Sequence, residues 1–337
     1  MSTLAKESTA EGVGFIEADQ EENSQPREGT QLESSTASIN SSILRYRKEN
    51  GRTYHAYKDG KYVLPNDQSE QERLDLQHHL SLHTLDNKLY ICPAGRDGGI
   101  SLRNVLDLGT GTGAWALDFA EENPETQVYG VDLSPIQGPF VPPNVTFLVD
   151  DVEDQWTYNT KFDFIYSRHM TSSISDWSRY FEQSYANLTP GGWMEIMDIG
   201  AVMCDDGTLK KDGFLSRWVE LFIEGTSKID RSFLGYQTYY EKMEAAGFTN
   251  LRKVVYKWPT NRWPRDPKHK ELGKNYFPTP LSSGLQGLSA AVFTRILGWS
   301  PEEMNALLEG VERELRDPRV HAYWPITVVY GQKPLAP

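Results

Sequence analysis

Between residues 103 and 200, hydrophobic residues come in short runs that alternate with stretches of helical spacing. The runs are NVLDLG, VYGVDLS, VTFLVDD, FDFIYSRH and WMEIMDI, and the helical stretches are AWALDFAEENP and WSRYFEQSYANL. Short apolar strands that alternate with helices are typical of a parallel sheet covered by helices on both faces. The pattern therefore predicts an α/β fold with a doubly wound, Rossmann-like sheet.

The stretch before this region has a different pattern. Residues 39–100 are predicted to be mostly helical, beginning with a short helix that breaks at the turn pair Asn50-Gly51. A second helix follows, for which Asp67 or Ser69 is the expected N-cap.

The stretch after residue 200 mixes helices, strands and turn signals. Ser300 begins the run SPEE, which is a capping box with proline at the first helical position. Residues 259–285 are rich in Pro, Trp and Lys, and this composition predicts an irregular loop. Helices are predicted over 213–224 and 234–247, and strands at LRKVVYKW and WPITVVYG.

Charge is distributed unevenly along the chain. The net charge is −13, and residues 1–38 hold eight acidic and two basic residues, so −6 of that charge lies in this segment. A polar segment of this kind buries too little apolar surface to offset its ordering entropy, so we expect it to be disordered. The expected organisation is an acidic tail (1–38), a helical extension or lid (39–100) and an α/β domain (101–337).

Composition also excludes several classes of protein. The acidic net charge disfavours a free-standing nucleic-acid-binding protein, because phosphate backbones are bound by clustered Lys and Arg. Cys92 and Cys204 are too few for a disulfide framework or a cysteine-based zinc site. The sequence has no apolar segment of signal-peptide type and no apolar run of about 18 residues. We therefore expect a protein of the cytoplasm, or of the nucleus, that binds neither membranes nor nucleic acid.

The run DLGTGTG joins the first strand of the predicted sheet to the helix that follows it. Gly109, Gly111 and Gly113 allow the backbone to turn sharply and to approach a ligand closely, beside the free N–H groups of a helix N-terminus. The spacing is G-x-G-x-G, not the dinucleotide pattern G-x-G-x-x-G, and the Lys-Ser or Lys-Thr pair of a P-loop is missing. Asp107 ends the strand, and its charge favours a cationic ligand that carries an amine and a sulfonium.

Acidic residues also follow the next two strands. Asp132 ends the second strand, 19 residues after the last glycine of the loop, where an acid can accept hydrogen bonds from both ribose hydroxyls. Asp150 and Asp151 follow the third strand, where an acid can accept from an adenine amino group, with Val152 or Leu133 against the ring. These features together predict a site for an adenosine without phosphates, which indicates S-adenosylmethionine (SAM).

At these motifs the chain resembles a known family. VLDLGTGTG, VYGVDLS, DDVEDQW, FDFIYSRHM and LTPGGWMEIMD, within about residues 103–200, resemble the motifs of class I SAM-dependent methyltransferases. ENGRTYHAYKDGKYVLPND, ERLDLQHHL and HAYWPITVVYGQKP extend the resemblance from about residue 43 to the end, toward the fungal LaeA-like group of secondary-metabolism methyltransferases and regulators. The resemblance implies a seven-stranded sheet whose last strand, WPITVVYG, is antiparallel, together with a helical N-terminal extension and helical insertions.

Methyl transfer requires a base only if the acceptor must lose a proton. The loop that begins at Ser167 is the expected position, with His169 as the candidate base and Ser167 assigned to the cofactor site. The alternative is a structural role for His169. Arg168 is expected to pair with Glu195 or Asp198 on the next strand.

A metal site is not predicted. His78, His79 and His83 lie in one predicted helix, and His79 and His83 share a face of it. No Cys or carboxylate at ligand spacing completes a set, and the resemblance implies a family that needs no metal.

The leading functional hypothesis is methyl transfer to a small-molecule acceptor, a secondary metabolite. One alternative is a LaeA-like nuclear regulator that acts through a protein partner. Another is a SAM-binding enzyme of the same fold that catalyses a pericyclic or isomerising reaction. Aromatic residues after position 200 are expected to lie mainly in the core, with a minority lining an acceptor site for a flat or apolar molecule. These aromatic residues are Trp218, Phe222, Tyr236, Tyr239, Trp258 and Trp263.

Overall fold

The computed structural model describes residues 43–96, 100–276 and 278–335, without the side chains of 275–283. All of the described residues belong to one compact unit. The acidic segment predicted to be disordered, residues 1–38, lies outside the described residues. No helix of the described chain is long and apolar enough to cross a membrane.

The N-terminal extension begins with a hairpin. Strands β1 (Arg47–Glu49) and β2 (Arg52–Tyr54) pair antiparallel around Asn50 and Gly51, which both have positive φ. The turn pair was predicted correctly. The helix predicted for the residues before this turn is wrong over 47–49, where the chain forms a strand. The reason is that two positive-φ residues form a two-residue turn whose twist matches that of paired strands.

Helix α1 (Gln68–Thr84) follows the hairpin. Asp67 is its N-cap and accepts a hydrogen bond from the Glu70 amide at 3.1 Å, which confirms one of the two predicted caps. Arg52 forms a bidentate ion pair with the same Asp67 carboxylate, at 2.6 and 2.9 Å. The hairpin is thereby fastened to the start of α1.

The predicted sheet is confirmed, with spatial order β5-β4-β3-β6-β7-β10-β9. The strands from β5 to β7 are parallel, and β10 runs antiparallel to both β7 and β9. A two-residue strand, β8, also pairs with the start of β10. The strands are β3 (Asn104–Leu108), β4 (Gln127–Asp132), β5 (Val145–Val149), β6 (Phe162–Arg168), β7 (Leu188–Ile199), β8 (Met203–Cys204), β9 (Thr249–Pro259) and β10 (Ala322–Gln332).

Helices cover both faces of the sheet. The predicted capping box at Ser300 is confirmed, because its hydroxyl accepts from the Glu303 amide and the Glu303 carboxylate accepts from the Ser300 amide. The helices are α2 (Ala114–Glu122), α3 (Trp177–Asn187), α4 (Phe214–Lys228), α5 (Tyr239–Ala245), α6 (Pro267–Glu271), α7 (Pro278–Ala290) and α8 (Pro301–Arg316), with a 3₁₀ turn at Gly235–Thr238 and π-helical turns at Leu272–Tyr276 and Ala291–Ile296.

The irregular loop predicted over 259–285 is wrong. This stretch contains α6, a π-helical turn and the first part of α7. Asp266 caps α6 by accepting from the His269 amide at 2.9 Å, and Pro267 occupies the first turn. Proline is compatible with the first turn of a helix, where the backbone N–H has no intrahelical acceptor. Pro267 and Pro278, two of the prolines that indicated a loop, are therefore helix starts.

Candidate cofactor and acceptor cavities

A cavity lies at the carboxyl ends of β3, β4, β5 and β6, and we call it the strand-end cavity. Ligands of open α/β sheets bind at this edge, because the loops after parallel strands meet there. The residues assigned to the site from sequence that line this cavity are Gly109, Gly111, Asp132, Leu133, Asp150, Asp151, Val152 and His169.

The three glycines of the loop after β3 have different surroundings. All three have positive φ, between 57° and 86°. A Cβ on Gly109 would lie 2.3 Å from the sulfur of Met170, and a Cβ on Gly113 would lie 2.5 Å from the Phe147 ring. A Cβ on Gly111 would meet only a methyl carbon of Leu74, at 3.4 Å. Gly113 therefore packs against the protein, whereas Gly111 borders the open part of the cavity.

Asp132 is held at the end of β4 by two backbone amides. One carboxylate oxygen accepts from Gly111 at 2.9 Å and the other accepts from Ser134 at 2.9 Å. Burial raises the pKa of Asp132 above its ordinary value, and the amide hydrogen bonds act in the opposite direction. A carboxylate has about four acceptor positions, so each oxygen keeps acceptor capacity for a ligand hydroxyl.

Asp151, after β5, is buried and joins the loop to the N-terminal extension. One oxygen pairs with the Lys61 ammonium, and the other accepts from the Glu153 amide at 2.9 Å. The neighbouring Asp150 accepts from the amide of Asp151 at 2.8 Å. This arrangement fixes both acids beside Val152 on the cavity wall.

Three residues assigned to the site do not line the strand-end cavity: Asp107, Gly113 and Ser167. Asp107 is buried beneath the glycine loop and accepts from the Thr110 hydroxyl at 2.6 Å. Burial raises the pKa of Asp107 to about 6. Ser167 is fully buried within β6. The structure therefore places Asp107 where it supports the loop.

The N-terminal extension supplies cavity residues that sequence reasoning missed. Lys61 and Tyr62 lie between β2 and α1, and Glu70, Leu74 and Gln77 lie on one face of α1. The helical spacing of this face is visible in the sequence. Most of its residues are polar, so an apolar stripe could not identify it as a face that packs on the domain.

Arg168 does not pair with either predicted acid. Its guanidinium donates to Nδ1 of His78 at 2.9 Å, and Nε2 of His78 lies 2.8 Å from an Asp118 carboxylate oxygen. Glu195 accepts instead from backbone amides of the 91–92 segment, and Asp198 accepts from the Tyr239 hydroxyl. The expected pairing is wrong, and donors from other parts of the chain occupy both carboxylates.

A second cavity adjoins the first, and we call it the aromatic cavity. Tyr62, Leu74, Gln77 and His169 line both cavities. Of the six aromatic residues considered from the sequence, Tyr236 and Tyr239 are buried in the core away from this cavity, and Trp263 is half-buried and does not line it. The other three line the cavity, which is half of the set and not a minority. The other walls of the aromatic cavity are Val63, Leu64, Arg73, Leu80, Thr171, Ser172, Ile199, Trp218, Phe222, Phe233, Trp258, Leu288 and Trp324.

His169 has a positive φ of 54°, which is uncommon outside glycine and often marks a functional position. Its Nε2 lies 3.5 Å from the Ser81 hydroxyl, and that hydroxyl donates to the Gln77 carbonyl at 2.9 Å. Ser81 therefore accepts from Nε2–H, and the lone pair of a neutral imidazole lies on Nδ1. Within the described chain, buried Nδ1 has no hydrogen-bond partner.

The imidazole of His169 is neutral at physiological pH. Burial lowers its pKa well below the ordinary value of 6.5, and the positive charges of Arg168 and Arg73 lower it further. Among the described residues, no group of three or more His, Cys, Asp or Glu side chains is arranged to hold a metal ion.

Comparison with known proteins agrees with the fold and the site geometry. Residues 76–253 match a family model described as a methyltransferase domain. The chain is 40% identical over 304 residues to methyltransferase pytC of Aspergillus terreus, covering 90% of this chain and 92% of that protein. It is 34% identical over 294 residues to the secondary metabolism regulator LAE1 of Cochliobolus heterostrophus, covering 85% of this chain and 94% of that protein.

A third relative carries a different description. The chain is 32% identical over 315 residues to the protein-methionine methyltransferase laeA of Emericella nidulans, covering 92% of this chain and 82% of that protein. The family model covers more than half of the chain, and the relatives match over most of their length. The chain therefore belongs to the class I SAM-dependent methyltransferases, in the LaeA-like group of fungal proteins.

Proposed function

We propose that the protein transfers the methyl group of SAM to a small-molecule acceptor held in the aromatic cavity. The observation that carries this proposal is the junction of the two cavities, where both are lined by Tyr62, Leu74, Gln77 and His169. Methyl transfer is an in-line displacement, so donor and acceptor must meet at such a junction with water excluded.

The strand-end cavity fits SAM. A Cβ on Gly111 would meet only one Leu74 methyl carbon, at 3.4 Å, so the backbone there leaves room for a ligand. Asp132 keeps acceptor capacity for the two ribose hydroxyls, and Asp151 keeps it for the adenine amino group, with Val152 and Leu133 beside the ring. When bound, SAM would supply an activated methyl group on its sulfonium.

His169 is proposed as the base that takes the acceptor proton. Its imidazole lines both cavities, and the bond of Nε2–H to Ser81 leaves the Nδ1 lone pair as the basic site. An acceptor hydroxyl would be the partner that buried Nδ1 lacks. Because the pKa of His169 is low, this proposal favours acidic acceptors, such as phenols or enols, over aliphatic alcohols.

The walls of the aromatic cavity favour a flat or apolar molecule over a basic protein tail. Among the described residues that line it, five are Trp or Phe, and the one charged residue is the cation Arg73, paired with buried Glu70 at 2.8 Å. A site for a basic tail would need acidic walls. Methyltransferase pytC, at 40% identity, is named as an enzyme and not as a regulator. A cytoplasmic location goes with this proposal, since a small acceptor requires no nuclear partner.

The test compares a deletion strain with its parent, both fed methionine labelled on the methyl group. We expect the parent to contain a labelled metabolite whose counterpart in the deletion strain lacks one methyl group. Purified protein and labelled SAM should then convert the unmethylated compound to the methylated one. Loss of many unrelated metabolites without a demethylated counterpart would support a regulator, and a product of unchanged mass would support a non-methylating enzyme.

A further inference from the structure

Arg168 is a cation of the strand-end cavity that forms no ion pair with any carboxylate among the described residues. It ends β6 and lines the cavity together with Gly109 and Gly111. In the part of the chain that the structure describes, no carboxylate oxygen lies within 4.0 Å of its guanidinium. Its hydrogen-bond partner is the neutral ring of His78. Arg168 therefore forms no ion pair with a described carboxylate at the cavity wall, although its charge acts on the pKa of buried Asp107 from beyond that distance.

The ring of His78 fixes the direction of this guanidinium. Because Arg168 donates to Nδ1, the proton of the neutral imidazole must lie on Nε2, which then donates to Asp118 at 2.8 Å. His78 is 4% exposed, and burial lowers its pKa, so the ring stays neutral. One N–H of Arg168 donates to His78, and the other N–H groups can donate to a ligand.

The order of the strands shows which end of SAM would reach Arg168. Across the sheet edge, Asp151 follows β5, Asp132 ends β4, the glycine loop follows β3 and Arg168 ends β6. These strands are neighbours in that order. A cofactor with its adenine at Asp151 and its ribose at Asp132 therefore extends its methionine end past the glycine loop toward β6.

We infer that Arg168 binds the carboxylate of the methionine end of SAM, and that His78 and Asp118 are positioning residues that aim its guanidinium. This inference rests on the proposed SAM site. A planar guanidinium matches a carboxylate with two parallel hydrogen bonds, which a lysine ammonium does not reproduce. An anionic group on the methyl acceptor is the competing occupant, and the experiment separates the two.

The test uses two ligands that differ only at this end. S-adenosylhomocysteine carries the amino-acid carboxylate, and 5′-methylthioadenosine lacks the whole amino-acid portion. By isothermal titration calorimetry of the full chain, Arg168→Gln should weaken S-adenosylhomocysteine about tenfold or more, because a charge-assisted pair is lost. Its affinity for 5′-methylthioadenosine should stay within about twofold, which also shows that the variant is folded.

The positioning residues are tested by a pair of variants. His78→Asn keeps an acceptor near the position of Nδ1, whereas His78→Leu removes it. The leucine variant should weaken S-adenosylhomocysteine several-fold without affecting 5′-methylthioadenosine, and the asparagine variant should restore most of that loss. Equal weakening of both ligands by His78→Leu would mean that His78 only supports the fold.

Asp132→Asn is the control for the adenosine end and should weaken both ligands. If Arg168→Gln leaves S-adenosylhomocysteine binding unchanged, or weakens both ligands equally, the inference about Arg168 is wrong. Unchanged binding together with a raised KM for the acceptor would assign Arg168 to the acceptor. If the unmodified protein binds neither ligand, the proposed SAM site itself is wrong.

Discussion

The ammonium of Lys61 pairs with the buried carboxylate of Asp151 and so joins the N-terminal extension to the loop after β5. The side chain of Asp151 is 2% exposed and that of Lys61 is 24% exposed. A second acid, Glu153, lies 3.4 Å from the same ammonium and is itself paired with Arg231 at 2.7 Å. The segment before α1 is thus fastened by charge at the place where the adenine of SAM is proposed to bind.

Lys61→Met should destabilise the protein by about 1–3 kcal/mol. The substitution leaves the Asp151 carboxylate buried without its cation, and the partial exposure of Lys61 keeps the loss below that of a fully buried pair. Urea unfolding followed by tryptophan fluorescence measures the change. Faster proteolysis within residues 55–66 should accompany it, because the segment loses its attachment.

Lys58→Met is the matched control. Lys58 lies three residues away and pairs with Asp154 at 2.9 Å, but both side chains are largely exposed. Surface pairs of this kind contribute little to stability, so the control should unfold close to the unmodified protein. Equal losses of stability in the two variants would show that burial of Asp151 does not increase the contribution of the Lys61–Asp151 ion pair.

Gly111→Ala and Gly113→Ala should separate ligand approach from packing. Alanine at Gly111 would contact only a Leu74 methyl carbon, at 3.4 Å, and incurs mainly the left-handed backbone cost of about 1–2 kcal/mol, but it should abolish most of the stabilisation by SAM. Alanine at Gly113 also clashes with the Phe147 ring, adding about 1–3 kcal/mol of overpacking, and should leave the SAM-induced shift intact.

Thermal unfolding of the three proteins with and without saturating SAM decides between these outcomes. Full stabilisation of the unmodified protein at about 100 times Kd would amount to about 2.7 kcal/mol. If Gly111→Ala gains as much from SAM as the unmodified protein does, the loop does not approach the ligand at that glycine.

The sheet could be predicted from the sequence because each of its motifs is local. Strand ends such as Asp132 follow directly from an apolar run, and parallel strands bring their carboxyl ends to one edge without further information. The hairpin at Asn50-Gly51 was predicted only as a turn, because its strands are three residues each and carry no alternating pattern.

Side-chain contacts between distant parts of the chain could not be predicted from the sequence. The bond between Arg168 and His78 spans 90 residues, and the pair of Lys61 with Asp151 spans 90 as well. Neither partner carries a local signal for the other, since both lie on segments whose docking depends on tertiary packing. The different surroundings of Gly111 and Gly113 also depend on tertiary packing, because the neighbouring Leu74 and Phe147 belong to elements distant in the sequence.

Glu195→Gln should reduce the pH dependence of stability. Burial raises the pKa of Glu195 from 4.5 to about 7, although the amides of the 91–92 segment act in the opposite direction. The folded state therefore binds more protons than the unfolded state between these values. The stability contributed by this proton is fully present below pH 4.5 and is lost as the pH rises through about 7.

Urea midpoints at pH 5 and pH 8 measure this effect. The unmodified protein should lose more stability across that interval than Glu195→Gln, in which residue 195 has no proton to release. Glu121→Gln, at an exposed position of α2, is the control and should follow the unmodified protein. If Glu195→Gln loses as much stability between pH 5 and pH 8 as the unmodified protein does, the pKa of Glu195 is not raised in the folded state.

His169→Gln should abolish most methyl transfer while leaving S-adenosylhomocysteine binding within a few-fold of the unmodified protein. A positioned base contributes typically about 10²–10⁴-fold to rate, and the proposed adenosine contacts do not involve His169. The pH dependence gives a second readout. Since the base must be neutral and its pKa lies well below 6.5, kcat/KM should stay level through pH 6.5 and fall only at more acidic pH. Ser81→Ala tests which ring nitrogen of His169 carries the proton, because the substitution removes the acceptor of Nε2–H. It should lower kcat by a smaller factor than His169→Gln. A His169→Gln enzyme that keeps full kcat, or a rate that already falls between pH 8 and 7, would leave His169 with the structural role that the sequence also allowed.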